Sequence, residues 1–221
     1  MKKKIFSICV ALIVLISGGV YCMTKWIEHQ NSPYNVSDVL DDKGVKLYKW
    51  GFRLLEEQLA TYIKEHYSGV SKIEFSPIFV QGGDRQSMFN SKIIFAIYDK
   101  NQNKAYVGGK IGNHTYATYG DSWDVILGFD GATGEEAIDL RISETETIDV
   151  SKYNHLPDLA KLSILPKLDS NLKALVKDGQ LVDVNRSEEG SPKVKIFYNT
   201  EMRKGSVMKW RWVIKIFKNY K

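Results

Sequence analysis

The sequence predicts an α+β fold in which a curved antiparallel sheet carries helices on one side. Apolar residues between Val45 and Tyr67 recur mostly at three- and four-residue spacing, which indicates an amphipathic helix of about six turns. After Ser68 the apolar period changes to two, and short polar turns separate the strand-like runs. Short turns between such runs are typical of an antiparallel meander.

The remaining elements follow from the same two periods. A helical segment is expected over residues 156–176, and Pro166 should divide it in two. Pro77 indicates that the first strand lies at an edge or carries a bulge. The predicted strands cover residues 73–79, 92–98, 104–111, 123–129, 136–142, 180–184, 194–198 and 206–217.

The N-terminus has the composition of a membrane segment. Lys2, Lys3 and Lys4 precede the uncharged run from Ile5 to Met23, whose length as a helix matches the hydrocarbon core of a bilayer at about 28 Å. The lysines favour a cytoplasmic N-terminus and a domain outside the cell membrane. The predicted organisation is a lysine-flanked transmembrane anchor at 1–27, a polar neck at 28–44 and an extracytoplasmic α+β domain at 45–221.

Two other fates of this segment compete with a single-pass anchor. A signal peptidase could cut near Ser17-Gly18-Gly19, although the apolar run continues beyond that site and is longer than a usual signal-peptide core. Acylation of Cys22 is disfavoured by the bulky Tyr21 before it. The anchor is therefore preferred. The chain beyond Cys22 lacks cysteine, which suits an exported protein of Gram-positive bacteria.

Charge and motif content argue against several function classes. The formal net charge is +5, but without the three N-terminal lysines 28 basic side chains face 26 acidic ones, so nucleic-acid binding is not expected. The four histidines are dispersed, and the sequence contains neither a metalloprotease nor a phosphate-loop motif. The pairs Glu56-Glu57 and Glu135-Glu136 are expected to be solvated. We therefore predict no enzymatic activity, metal or cofactor.

The stretch that follows Asp99 imitates the start of a calcium loop. Lys104 and Lys110 occupy the positions where such a loop requires glycine and a bidentate glutamate. A polar hairpin turn explains these residues better.

Two segments are candidate partner-binding surfaces. In the predicted last strand, Lys209, Arg211 and Lys215 share one face, while Trp210 and Trp212 share the other and should enter the core. The basic face could contact an acidic protein, anionic headgroups or teichoic acid polymers, or it could be a solvated strand whose lysines discourage edge pairing. The second candidate is the loop Gln81–Ser91 with Asp84, Arg85 and Met88, which could equally be a plain mobile loop.

The layout of an N-terminal anchor, a helix and a meander containing Tyr98-Asp99-Lys100-Asn101-Gln102-Asn103-Lys104-Ala105-Tyr106-Val107-Gly108-Gly109-Lys110 resembles the TipC-type immunity proteins. These are small membrane-anchored proteins of streptococci and their relatives that neutralise a type VII-secreted toxin directed at lipid II. The resemblance implies binding to a secreted protein toxin rather than catalysis. It carries over no individual functional residue.

Two hypotheses therefore remain open. The first is an anchored immunity protein that occludes a secreted antibacterial toxin, with the lipid bilayer contacted through residues 5–23. The second is a cell-envelope accessory or scaffolding protein that binds wall polymer or a membrane partner. An adjacent gene for an exported toxin would favour the first, and a cell-division or wall-synthesis cluster the second.

Overall fold

A computed structural model describes residues 21–28, 30–83, 88–207 and 210. The chain divides into two compact units, Met1–Asn35 and Val36–Lys221. In the first unit residues 21–28 are helical, and Lys25 pairs with Glu28 at 2.8 Å. No helix in the described part of the chain has the length and hydropathy needed to cross a membrane. Residues 5–20 of the predicted span lie outside the described residues.

Helix α1, Asp42–His66, confirms the amphipathic helix predicted from the apolar spacing. It begins where the Asp41 carboxylate accepts a 2.7 Å hydrogen bond from the Gly44 N–H, which satisfies one of the otherwise unpaired amides of the first turn. Most of its apolar face is buried. The side chains of Phe52, Leu55 and Ile63 are at most 1% exposed. The second compact unit begins at Val36, which is buried in the same core.

The strands and the second helix follow α1 along the chain. A 3-10 turn, Asp158–Ala160, precedes helix α2, Pro166–Lys177, whose proline lies in the first turn. The helical segment predicted over 156–176 is therefore confirmed only from Pro166, because residues 156–165 contain this 3-10 turn and no α-helix. The strands are β1 Tyr67–Ser68, β2 Val70–Phe75, β3 Ile78–Gln81, β4 Asn90–Ile93, β5 Phe95–Asp99, β6 Lys104–Val107, β7 Gly109–Ile111, β8 His114–Tyr116, β9 Tyr119–Gly120, β10 Val125–Phe129, β11 Glu136–Arg141, β12 Thr147–Asp149, β13 Asn185–Arg186, β14 Lys195–Phe197 and β15 Met202–Lys204.

The central strands form two four-stranded sheets that meet along a crease. Their orders are β14-β2-β5-β6 and β15-β3-β4-β9, so the chain steps from one sheet to the other between β2 and β3, β4 and β5, and β14 and β15. Ser76 lies at the crease, where its Oγ accepts from the Ile94 N–H at 3.1 Å and its N–H donates to the Ile94 carbonyl at 3.0 Å. Pro77 follows and cannot donate to a neighbouring strand.

The sequence prediction of the sheet is therefore only partly confirmed. The α+β class is correct, and most strand pairs are antiparallel. The prediction of a single antiparallel sheet was wrong, because β14 pairs parallel to β2 and β15 pairs parallel to β3. Each of these pairs joins segments more than a hundred residues apart in the chain, so local periodicity carries no information about their direction.

The antiparallel sheet β10-β11-β12 packs against α1. Close approach is possible because α1 has glycine at position 51, where a Cβ atom would lie 2.2 Å from Leu127 Cδ2. Leu168, Leu172 and Leu175 of α2 enter the same core as the apolar face of α1. Hydrogen bonds at Asp169 connect α2 to the end of α1. The Asp169 carboxylate accepts from Tyr62 Oη at 2.9 Å and from Tyr67 Oη at 2.6 Å.

Two strand predictions near the C-terminus were wrong in the described residues. Residues 180–184 form turns, and only Asn185–Arg186 pairs as a short strand with β1. Val207 lies in a turn and Trp210 is helical, so the strand predicted over 206–217 is not present at these positions. Strand β15 was not predicted. It pairs parallel to β3.

Candidate functional site

The outer face of the sheet β14-β2-β5-β6 carries two rows of cationic and aromatic side chains. Cross-strand register aligns Lys195, Lys72, Tyr98 and Lys104 in one row, and Phe197, Glu74, Ala96 and Tyr106 in the next. We call the seven larger side chains the cationic face: Lys72, Glu74, Tyr98, Lys104, Tyr106, Lys195 and Phe197.

Strand alternation places these side chains outward. Their immediate neighbours Ile73, Ile97 and Ala105 have no exposed surface, since successive side chains of a strand point to opposite sides of the sheet. Phe197 on the edge strand β14 is 53% exposed, so its ring is available for contact.

Glu74 is the only carboxylate of the cationic face. Its Oε2 atom accepts a 2.6 Å hydrogen bond from Tyr98 and lies 3.4 Å from Lys104 Nζ and 3.5 Å from Lys72 Nζ. Burial by itself would raise the pKa of Glu74, but the hydrogen bond from Tyr98 and the two lysine charges outweigh it, and the pKa falls below its usual value. Glu74 is therefore ionised at neutral pH and holds both lysines in place.

The lysines also lie against aromatic rings. Lys72 Nζ is 3.6 Å from the centroid of the Tyr98 ring. Lys104 Nζ is 5.1 Å from the Tyr106 centroid and 5.5 Å from the Trp210 centroid. These distances are within the range of cation–π attraction. The aromatic rings therefore orient the ammonium groups, and the side chains of Lys72 and Lys104 are 28% and 13% exposed.

A groove adjoins the cationic face where β2 and β14 begin. It has a volume of about 640 Å³, and the described residues of its lining include Lys72, Lys100, Lys193 and Lys195 but no carboxylate. Phe197 forms part of its wall. We call it the lysine groove. With no acid in its lining, the groove favours anionic groups.

The loop at 190–195 gives the lysine groove its shape. Ser191 Oγ donates to the Tyr67 carbonyl at 2.7 Å and accepts from the Val70 N–H at 3.1 Å, which fixes the loop beside β2. Gly190 has a φ of +59°, and a Cβ there would lie 2.2 Å from the Lys64 carbonyl oxygen. Only glycine combines this backbone conformation with such close contact.

Most of the residues proposed from sequence as binding residues lie outside the described part of the chain, namely Asp84, Arg85, Lys209, Arg211 and Lys215. Met88 is described and is 92% exposed. Trp210, between Lys209 and Arg211 in sequence, packs edge-on against Tyr106 with 5.5 Å between ring centroids. It is only partly buried beside the cationic face, rather than enclosed in the core as predicted.

The Asp99 turn behaves as the sequence predicted. The Asp99 carboxylate accepts from the amides of Asn101 at 2.8 Å, Asn103 at 2.9 Å and Val182 at 2.8 Å. Burial opposes ionisation, but these hydrogen bonds and one from the Asn103 side chain outweigh it and lower the pKa of Asp99. This carboxylate stabilises a hairpin turn. In the described residues no three His, Cys, Asp or Glu side chains converge as metal ligands.

The expectation that Glu56 and Glu57 are solvated was wrong. Glu56 has no exposed surface and Glu57 is 8% exposed. Glu56 accepts from the Asn199 N–H at 3.1 Å, and Glu57 accepts from the Leu156 N–H at 2.7 Å and pairs with Arg53 at 2.9 Å. Burial raises the pKa of Glu56 to about 8. Both carboxylates bind backbone amides of distant segments, which sequence adjacency could not reveal.

Sequence reasoning missed the cationic face because its members come from four separate strands. Polar and apolar residues alternate in three of these strands, a pattern that predicts which of their side chains face outward. The three segments are Lys72–Phe75, Lys104–Val107 and Lys195–Phe197. The pairing of β14 with β2 was needed to join them. Comparison of the chain with protein-family models, with curated proteins and with solved structures gave no match.

Proposed function

We propose that the protein is a membrane-anchored extracytoplasmic binding protein of the immunity class, which neutralises a secreted antibacterial toxin by occluding it. The observation that carries this proposal is the arrangement of lysines and aromatic rings in two aligned rows on one sheet face. Large aromatic side chains contribute most where interfaces are fully desolvated, and cations around them select an acidic partner.

The cationic face presents both components at one place. Phe197 offers an exposed apolar ring at the edge, while Lys195 and the lysine groove surround it with positive charge. Glu74 supplies the only negative charge on the face and is already paired with two lysines. An acidic surface on the toxin would therefore meet a field of one sign.

Charge reversal in the lysine groove tests this site. The variant Lys100→Glu/Lys193→Glu/Lys195→Glu changes three exposed lysines, and Lys110→Glu/Lys152→Glu/Lys173→Glu changes three exposed lysines elsewhere. Both carry the same net charge, so nonspecific steering cancels. Binding to a candidate exported toxin encoded beside the gene is measured by surface plasmon resonance at low and high salt, with thermal midpoints as a folding check.

We expect the groove variant to associate about tenfold more slowly than the control at low salt, with a smaller difference at high salt. Equal rates for the two variants would remove the groove from the interface. Phe197→Ala should weaken binding by about tenfold, whereas Phe129→Ala, also on an exposed phenylalanine, should not. Failure of the wild-type protein to bind any such toxin would refute the immunity proposal.

The predicted attachment to the membrane belongs to the same proposal. Fractionation of cells that express the untagged protein should place the full-length chain in the membrane. A soluble product that begins near Gly19 would show cleavage, and lipid labelling of Cys22 would show acylation. Either result would replace the single-pass anchor.

A second candidate function is binding of an anionic wall polymer. The four lysines in the lining of the lysine groove favour it, because a phosphate polymer needs repeated cations more than aromatic contacts. A soluble glycerol-phosphate polymer is the probe. Under this alternative the charge-reversal variant loses binding to the polymer, but Phe197→Ala keeps it, which separates the two functions.

A further inference from the structure

We propose that a cleft beside α1 binds a small neutral ligand that is mainly apolar and carries one hydrogen-bond donor. The cleft has a volume of about 420 Å³ and lies between α1, the end of β11 with the turn after it, and the segment that leads into α2. This volume is within the range of small-molecule sites. We call it the Gln58 cleft. It contains no residue of the cationic face or lysine groove, so the inference does not rest on the proposed function.

The walls of the Gln58 cleft are mostly apolar. Leu55 and Leu59 stand on one side of α1, four residues apart, and each is 1% exposed. At the rim Trp123 is 76% exposed and Ile164 is 63% exposed. The other apolar lining residues are Ile142, Leu162, Leu165 and Pro166. A ligand could therefore bury exposed apolar surface of the rim without opening the core.

Gln58 gives the cleft a defined polar point. Its side chain is 2% exposed, and its amide nitrogen donates to the Arg141 carbonyl at 3.1 Å and the Ala160 carbonyl at 2.8 Å. Because both partners are acceptors, the orientation of the amide is fixed. Its Oε1 atom has no donor among the described residues. This oxygen is not among the fully buried unpaired atoms of the described residues, so it keeps contact with solvent, where a ligand can bring it an N–H or O–H group.

The charges around the cleft select a neutral ligand. Two acidic and two basic side chains line it: Asp124, Glu144, Arg141 and Lys167. Lys167 Nζ lies 2.9 Å and 3.0 Å from the two oxygens of Asp124. Arg141 donates to the carbonyls of Trp123 and Glu144. Both cations are already held, so an anion gains no free cation there, and the equal numbers of acidic and basic side chains in the lining give a cation little net attraction.

Indole and benzofuran form a matched pair of probes, because they have the same shape and only indole has an N–H donor. Each is titrated into the purified full chain and followed by saturation-transfer NMR. Indole should bind about three- to tenfold more tightly, which is the usual contribution of one neutral hydrogen bond. Equal affinities, or no binding of indole up to its solubility limit, would overturn the proposal.

Variants locate the site. Trp123→Ala removes an exposed wall of the cleft and should weaken indole binding at least threefold, whereas Phe129→Ala, an exposed aromatic outside the lining, should leave it unchanged. Gln58→Met keeps the side-chain length and should abolish the preference for indole. If Gln58→Met does not fold, the two probes on the wild type and the Trp123 comparison still decide the matter. Equal effects of the Trp123 and Phe129 variants would refute the location.

Discussion

Tyr98 donates a 2.6 Å hydrogen bond to Glu74 from the adjacent strand. The relationship is mutual, because burial, and then the bond to Glu74, raises the pKa of Tyr98 above its usual value. The hydroxyl therefore remains a donor at any physiological pH, and the carboxylate remains an acceptor. This pair keeps Lys72 and Lys104 beside the Tyr98 ring, so the geometry of the cationic face depends on it.

Glu74→Gln should destabilise the fold by about 1 kcal/mol at pH 7, because the hydrogen bond loses its charge and two lysines lose their counterion on a partly exposed surface. The lowered pKa of Glu74 stabilises the folded state above the unfolded pKa of about 4.5, and this stabilisation is lost as the pH falls. Urea denaturation should therefore show that the free energies of unfolding of the variant and the wild type differ less at pH 3 than at pH 7. Glu188→Gln, on an exposed glutamate, is the control. If the free energy of unfolding changed equally at both pH values, Glu74 would not be an ionised group with a lowered pKa in the folded protein.

Glu56→Gln should have the opposite pH dependence. A pKa raised by burial to about 8 means that the folded state takes up a proton between pH 4.5 and pH 8, so wild-type stability from this group falls as the pH rises through that window. Glutamine imitates the protonated acid and can still accept from Asn199. We expect the variant to gain about 1 kcal/mol or more relative to wild type between pH 5 and pH 8. Glu135→Gln, on an exposed side chain, should show no such trend in urea denaturation.

Gly190→Ala should destabilise the protein more than Gly134→Ala. Both glycines have positive φ, +59° and +71°, so each substitution carries a backbone cost of about 1 kcal/mol. Position 134 is open, whereas a Cβ at position 190 meets the Lys64 carbonyl. The difference between the two variants in the loss of unfolding free energy, measured by chemical denaturation, gives the cost of that contact. Equal costs would show that the loop moves without penalty.

Asp169→Asn should cost about 2 kcal/mol, because one carboxylate accepts from two tyrosines and pairs with Arg186 at 2.8 Å. The control is Asp158→Asn, whose ion pair with Lys161 involves a side chain that is 94% exposed and should contribute less than about 0.5 kcal/mol. Thermal and urea unfolding measure both. A similar small cost for the two variants would contradict a structural role for the Asp169 carboxylate.

The amino-acid sequence by itself determined the elements whose signals are local. The 3.6-residue spacing located α1 and the second half of the predicted helical segment, which is α2, and the polar turn at Asp99 joined two strands. Each of these depends on residues a few positions apart, where backbone propensity and side-chain capping act directly.

Only the tertiary structure decided which strands pair and which polar groups are buried. The parallel pairing of β14 with β2 brings Lys195 beside Lys72, and the packing of α1 buries Glu56 against Asn199. These contacts join residues more than a hundred positions apart, and no spacing in the sequence records them. The cationic face therefore arises from strand register, because burial of one side of each strand forces its alternate residues onto a common outer surface.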